Sequence, residues 1–359
     1  KKGDVIAIVA ANCIRYATTL LGISLAGATA TTINPAYTAR EIEHQLKDSG
    51  ATLVVTMLAM HDRVKDAAAA LAGGQVRAIY LMDVDAADEA AKCDMKPFAA
   101  LLQGPPLTQQ VAVAPTSDVA VMPYSSGTTG VAKGVMLSHY NIIANVAQVH
   151  GSGMTLHADR DSFIAFLPYF HVYGQAVLMF GGLRAGVLQI TLQRFDLVKS
   201  LELNQQHKGT WSFTAPPVAV ALGKHPIVDN YKLSLKYMIS GAAPLGKELQ
   251  VAVQQRLNCN VMQGYGMSEL SPVSHLRPMT ETGKPGFAGI TVANMERKFV
   301  DPDGNLVVVG KPGELCVRGP NVMLGYLNNP AATKATIDDD GFLHTGDVAV
   351  VDSGGYFQI

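Results

Sequence analysis

The chain has 359 residues, a formal net charge of −1 at pH 7, and 48% hydrophobic against 16% charged residues. Such a length suffices for about two or three domains, or one large multilobed one, built on sizeable apolar cores. Lys and Arg are scattered and balanced by Asp and Glu, so a basic nucleic-acid surface is excluded and no nucleic-acid partner is expected.

Short apolar runs rich in Val, Ile and Ala alternate with segments of helical period, the pattern of parallel β/α units. In chain order the expected strands are Val5–Val9, Thr29–Ile33, Leu53–Thr56, Ala78–Leu81, Val119–Pro123, Ser162–Leu167, Val187–Thr191, Thr210–Thr214, Tyr237–Ser240 and Val261–Gln263. Tyr16 to Ile33 is uncharged but rich in Thr, Gly and Ala, with Arg15 just before it. It reads as a buried helix running into a strand, not as a membrane span. Ser138 is placed to cap a helix that begins after Leu137.

Prolines gather and the pattern weakens between Lys92 and Pro115, and from about Gly283 strand-like pieces with tight turns take over (Asp301-Pro-Asp-Gly304, Gly310-Lys-Pro-Gly313, Gly313–Arg318, Val348–Val351). The expected class is α/β: a first β/α lobe over 1–115, a second over 116–283, both with mainly parallel sheets, and a small antiparallel β-barrel-like lobe over 284–359. The chain opens on Lys1 without a methionine and stops at Ile359 just after a strand. Both ends read as cut, so missing targeting signals carry no information.

Cys13, Cys93, Cys259 and Cys316 stand far apart in the chain, and the histidines form no H-E-x-x-H pattern. Neither gives a metal-ligand spacing. Isolated reduced thiols point to an intracellular protein, cytoplasmic or peroxisomal.

Three strings carry chemistry. The first is Tyr124-Ser-Ser-Gly-Thr-Thr-Gly-Val-Ala-Lys-Gly-Val135, read as following a strand and preceding a helix. Its small residues let backbone N–H groups and hydroxyls wrap an anion, and Lys133 adds a positive charge. A Walker loop ends in Gly-Lys-Ser/Thr; here Lys133 is followed by Gly134 and Val135, which excludes that reading. The second is Gln263-Gly-Tyr-Gly-Met-Ser-Glu269. Glycines flanking Tyr265 leave room for a flat ligand against the ring, and Glu269 offers a hard oxygen to Mg²⁺. Taken alone, Tyr265 is equally a core aromatic and Glu269 a solvated acid at a helix start. The third is Gly341-Phe-Leu-His-Thr-Gly-Asp347, whose carboxylate can accept from two vicinal ribose hydroxyls. Alone it is equally a turn aspartate bonding its own backbone.

Together and in this order the strings resemble the adenylate-forming (AMP-binding) enzyme family, on the 4-coumarate–CoA ligase and acyl-CoA synthetase branch. Ala132 stands where family members often carry proline, and Ser268 where threonine is more frequent. The resemblance runs from Asn34-Pro35, Tyr37-Thr38 and Glu41-Ile42 through Gly313–Gly319 and Gly325-Tyr326-Leu327 to Asp347. It implies the large N-terminal domain of that fold, with the family's own C-terminal domain missing from this chain. It implies nucleotide binding by Ser125, Ser126, Gly127, Thr128, Thr129, Gly130 and Lys133. Gly241, Ala242, Ala243, Gln263, Gly264, Tyr265, Gly266, Met267, Ser268 and Asp347 complete that set. The metal falls to Thr128 and Glu269. His171, in Leu167-Pro-Tyr-Phe-His-Val-Tyr173, lies beside the acyl carboxylate and with Lys133 and Glu269 forms the catalytic set. Without the family, His171 reads as a core histidine.

The implied reaction is carboxylate plus ATP to acyl-AMP and pyrophosphate, then acyl-CoA and AMP, with Mg²⁺ as cofactor and coenzyme A as co-substrate. Tyr173, Gly174, Val177, Ala242, Gly264, Pro272 and Val273 would wall the acyl pocket, and their small or apolar character favours an aromatic or medium-chain acid. A fatty acyl-CoA synthetase stays open as an alternative. An amino-acid adenylation domain would place an aspartate in that pocket, and none stands between Tyr169 and Gln175. A non-catalytic nucleotide-binding protein of the same fold is the alternative of another class. An oxidoreductase lacks its G-x-G-x-x-G. Because an arginine and a second lysine of the family fall beyond Ile359, this chain alone is expected to bind ATP or acyl-AMP and to turn over weakly or not at all.

Overall fold

The computed structural model describes residues 1–105, 108–109, 111–125, 131–279 and 284–359. Seven strands come first: β1 (Val5–Val9), β2 (Thr29–Ile33), β3 (Leu53–Thr56), β4 (Ala78–Leu81), β5 (Lys96–Pro97), β6 (Val119–Ser125) and β7 (Lys133–Ser138). Next come β8 (Ser162–Ala165), β9 (Leu188–Thr191), β10 (Trp211–Thr214), β11 (Tyr237–Ser240), β12 (Asn260–Gly266), β13 (Val273–Leu276) and β14 (Ile290–Thr291). Then follow β15 (Glu296–Val300), β16 (Gly313–Arg318), β17 (Gly325–Tyr326), β18 (Leu343–Val351) and β19 (Phe357–Gln358).

The chain divides into two compact units. The first comprises residues 1–139, 168–172 and 323–328. It holds an eight-stranded sheet in the order β17-β7-β6-β2-β1-β3-β4-β5. The ladders from β5 to β6 are parallel, whereas β6–β7 and β7–β17 are antiparallel. Ala7, Val9, Ile42, Leu46 and Val54 close its core. The first sheet thus takes in strands well past residue 115, where composition suggested a lobe boundary. The helix Ala39–Ser49 starts on a capping box: the Thr38 hydroxyl accepts from the Glu41 N–H, and the Glu41 carboxylate accepts from the Thr38 N–H. Thr38 and Glu41 therefore have a helix-starting role of their own.

The second unit comprises residues 140–167, 173–322 and 329–359. Its seven-stranded sheet has the order β14-β13-β12-β11-β10-β8-β9, parallel from β9 to β12 and antiparallel beyond. Ile164, Leu201, Leu222, Met238 and Val261 lie in one apolar cluster beside it. A four-stranded antiparallel sheet, β15-β16-β18-β19, follows in the same unit. The expected α/β class with mainly parallel sheets and a curled antiparallel one is what the chain adopts. Tyr16–Ile33 resolves into the helix Ile14–Leu25 and β2. Among the described residues no helix is long and apolar enough to cross a membrane.

Candidate active site

The first string ends differently from its reading. Tyr124–Ser125 closes β6 and Lys133 opens β7, with Ser125 opposite Lys133 in an antiparallel ladder. The loop therefore joins two strands of a hairpin, and a helix starts only at His139. The sequence-based reading missed β7 because six residues of it, Lys133–Ser138, lead straight into that helix. Ser126, Gly127, Thr128, Thr129 and Gly130 lie outside the described residues. Gly134 has no room for a side chain: a Cβ would come within 3.1 Å of the Tyr124 ring and 3.2 Å of Leu327 Cβ. The Tyr124 hydroxyl donates to Asp48 at 2.6 Å. The Lys133 ammonium stands 4.4 Å from the centroid of the Tyr326 ring, a cation–π contact across β7 and β17.

His171 sits on the segment 168–172 of the same unit. That segment is pinned twice: the Tyr169 N–H donates to the Asn12 side chain at 2.7 Å, and the Thr32 hydroxyl donates to the Phe170 carbonyl at 2.7 Å. Tyr169 also packs edge-on against Tyr16. The imidazole keeps an accessible edge, yet crowding by protein on its other sides holds its pKa below the ordinary value and favours the neutral form.

In the second unit, β12 and the segment that follows β11 form the wall of a cavity of ≈ 200 Å³. Ala242, Ala243, Gln263, Gly264, Tyr265, Gly266 and Asp347, all expected at the nucleotide, line it together with Pro244, Gly286, Ala288 and Ile359, which were not.

Tyr265 and Asp347, 82 residues apart, meet here: the phenol donates to Asp347 Oδ2 at 2.6 Å. Burial first, then that carboxylate, pushes the phenol pKa above its ordinary range, so it remains a donor at neutral pH. The ring leans on Phe357 (centroids 5.2 Å apart) and meets the His275 ring edge-on at 6.0 Å. Its orientation is therefore fixed before any ligand arrives.

The flanking glycines also lie against β13. A Cβ on Gly266 would lie 2.1 Å from the Pro272 carbonyl oxygen, and one on Gly264 would point at the β13 backbone. Gly266 lets β12 and β13 close at a bulge.

Gln263 is a clamp. Its buried amide accepts from the Leu245 N–H (2.8 Å) and donates to the Leu245 carbonyl (3.0 Å) and to Gln250 (2.9 Å). Both atoms of the amide are engaged, so it acts by holding the segment Ser240–Gly246 against β12. On that segment Ala242 takes φ +72°, a left-handed conformation that costs an L-residue about 1–2 kcal/mol.

The other expected residues fall away from the cavity wall. Gly241 turns its Cα toward the Tyr173 ring, which a Cβ would meet at 3.2 Å. Met267 donates its N–H to the Pro272 carbonyl, and Ser268 opens a short 3₁₀ turn with Glu269 and Leu270. Tyr173 starts a π-helical stretch, Tyr173–Phe180, that buries Gly174 and Val177, and its hydroxyl donates to the Ile239 carbonyl. Of the seven proposed acyl-pocket residues, Ala242 and Gly264 alone line the described cavity. Pro272 and Val273 face β12 across the bulge.

Glu269 is 2% exposed, and its charge reaches the Tyr265 phenol. A buried carboxylate of this kind fits a hard divalent cation. Thr128, the other expected metal ligand, is outside the described residues.

With this geometry in place, comparison with known proteins gives the class. Residues 1–327 match the AMP-binding enzyme family, and the chain belongs to that family. It is 40% identical over 362 residues to 4-coumarate–CoA ligase 1 of Petroselinum crispum, covering 98% of this chain and 64% of that protein. Among solved structures it is similar to a long-chain-fatty-acid-CoA ligase (FadD1) from Archaeoglobus fulgidus. That match has TM-score 0.86 and 26% identity, over 100% of this chain and 72% of that one. It is likewise similar to ATP-bound MatB from Rhodopseudomonas palustris, with TM-score 0.84 and 26% identity, over 100% of this chain and 68% of that one. The chain thus spans 64% of the length of the curated relative it matches.

Proposed function

We propose that the chain carries the nucleotide-binding part of an ATP-dependent acid–CoA ligase. The whole protein would convert a carboxylate and ATP to acyl-AMP and pyrophosphate, then pass the acyl group to coenzyme A. The observation that carries this reading is the Tyr265–Asp347 contact on the cavity wall of a family member.

Tyr265 offers a fixed aromatic face, and Asp347 a carboxylate that suits vicinal ribose hydroxyls. Held at that end, the nucleotide keeps its α-phosphate in one place while the acid approaches. Two anions must then meet, and at close range in a poorly hydrated site their repulsion amounts to several kcal/mol. Lys133 and the N–H groups of its loop would offset the charge that grows on the leaving pyrophosphate. Mg²⁺, held by Glu269 and Thr128, would neutralise phosphate charge. The neutral imidazole of His171 would hydrogen-bond the acid's carboxylate rather than form an ion pair with it. A reducing compartment, cytoplasmic or peroxisomal, accords with four free cysteines.

The 40% identity to a 4-coumarate–CoA ligase supports an aromatic acid as the substrate. The test is a calorimetric series of stable acyl-AMP analogues with a cinnamoyl or an octanoyl tail, against AMP. The cinnamoyl analogue should bind at least tenfold more tightly than AMP. Octanoyl preference would move the assignment to a fatty acyl-CoA synthetase. Equal affinity of all three would leave a nucleotide-binding protein without an acyl site.

A further inference from the structure

Apart from the nucleotide cavity, the antiparallel sheet of the second unit gathers a second group of chemically able side chains. Cys316 on β16 stands opposite His344 on β18 in the ladder, and Glu314 lies two residues back along β16 on the same face. The two strands bring together residues 28 and 30 positions apart in the chain. His344 Nδ1 lies 3.4 Å from Cys316 Sγ and 3.0 Å from Glu314 Oε2. The three ligand atoms all fall within 4.8 Å of one another.

The two spacings from His344, 3.4 and 3.0 Å, are close to what a tetrahedral cation needs. Bond lengths of about 2.3 Å to sulfur and about 2.0–2.1 Å to nitrogen or oxygen set ligand–ligand edges of roughly 3.3–3.6 Å. The support around the group has the form metal sites use. His344 Nε2 faces Asp338 Oδ2 at 3.4 Å, so once an ion displaces the proton that Nδ1 shares with Glu314 at 3.0 Å, the far nitrogen has a carboxylate to hold its own. Glu314 Oε1 is fixed by the Gly346 N–H at 3.0 Å, which leaves Oε2 toward the histidine. Two cations stand at this face, Lys298, across from Cys316 on β15, and Arg318, two residues on along β16; the first is paired with Asp338 at 2.8 Å and the second with Glu296 at 2.7 Å. The thiol is fully buried, while His344 and Glu314 keep 32% and 30% of their side-chain surface exposed, an entry path for an ion.

We propose that Glu314 Oε2, Cys316 Sγ and His344 Nδ1 form a site for a borderline-soft divalent cation of the zinc class, with solvent in the fourth position and Asp338 positioning the imidazole. On binding, the thiol proton leaves to solvent and the thiolate bonds to the ion. The cation then ties β16 to β18. The Gly346 N–H that holds Glu314 is next in sequence to Asp347, so occupancy stiffens the strand that carries the ribose carboxylate. The site is a regulatory one: its loading changes affinity for AMP without contact with the nucleotide.

Co²⁺ serves as the probe, titrated into the full chain after chelator treatment. One equivalent should give a thiolate-to-cobalt charge-transfer band and the visible bands of a tetrahedral ion, both lost on adding Zn²⁺. Cys316→Ser should remove the charge-transfer band, while Cys259→Ser, a buried thiol in the apolar core, should keep it. Asp338→Asn should keep the band but weaken Co²⁺ about tenfold. Should Cys316→Ser fail to fold, Glu314→Gln replaces it and should weaken Co²⁺ at least tenfold. AMP affinity should differ between Zn²⁺-loaded and chelated native chain and not between the same two states of Cys316→Ser or Glu314→Gln. No charge-transfer band in the native chain, or a band unchanged in both ligand variants, overturns the site. A metal-independent AMP affinity overturns the regulation. Neither result depends on the acyl specificity proposed above.

Discussion

The cavity beside Tyr265 and the hairpin end at Lys133 are built on opposite plans. Around Tyr265 every group is held before a ligand binds: the phenol by Asp347, the ring by Phe357 and His275, the neighbouring segment by the Gln263 amide, and Ala242 in a strained backbone. At Lys133 the strands are fixed by their ladder and by Gly134 against Tyr124, but the ammonium rests on one aromatic face. A cation–π contact of that kind is worth about 0.5–1 kcal/mol when exposed, little enough for a phosphate to displace. On the proposed function, one region is preorganised for a rigid ring and sugar, and the other holds a charge in waiting for phosphates.

Breaking the rigid side should be the more damaging. Gly266→Ala places a methyl against a backbone carbonyl that cannot step aside, and a loss of about 3 kcal/mol or more in chemical denaturation is expected. A loss under 1 kcal/mol would mean that the bulge is soft.

The next effect comes with pH. His275 is fully buried, and desolvation, with Arg297 adding to it, pushes its pKa down to about 3. The unfolded chain therefore binds a proton that the folded one refuses between about pH 6.5 and pH 3, so stability falls as pH drops through that window. At pH 5 this group alone should cost about 2 kcal/mol. The urea midpoint of His275→Gln should depend less on pH over that window than the native chain's; parallel curves would remove His275 as the cause.

On the hairpin side, Lys133→Ala should leave stability nearly unchanged and weaken ATP about tenfold while sparing AMP. Equal losses for both nucleotides would show that Lys133 does not address the phosphates. The smallest change sharpens the meaning of strain. Ala242→Gly should stabilise the fold by about 0.5–1 kcal/mol and lower AMP affinity a few-fold, because the relaxed segment must be reordered on binding. A gain in stability with unaltered affinity would make the strain incidental.

The parallel core was legible because its strands are short buried runs with turn residues at both ends. Val5–Val9, Thr29–Ile33, Leu53–Thr56, Ala78–Leu81 and Tyr237–Ser240 were read to the residue. The antiparallel pieces were not. β18 begins at Leu343, five residues before the Val348 start expected, because Leu-His-Thr-Gly-Asp mixes polar groups that only the ladder to β16 explains. Seven residues lining the cavity beside Tyr265 belong to the strings and segment singled out in the sequence. The structural roles of Gln263 and Gly266 were not legible because they rest on contacts made only in the fold, of Gln263 with Leu245 and Gln250 and of Gly266 with Pro272 across the bulge. The group at Glu314, Cys316 and His344 was invisible for the same reason. No spacing rule links Cys316 to His344, and the strand register brings them together.

Isothermal calorimetry of AMP binding to the native chain and to Asp347→Ala addresses the central claim most directly. Loss of charge-assisted hydrogen bonds to the ribose, about 1.5–3 kcal/mol, predicts affinity weaker by about ten- to more than a hundredfold, with the fold intact by circular dichroism. AMP affinity the same in both proteins would take Asp347 out of the nucleotide site.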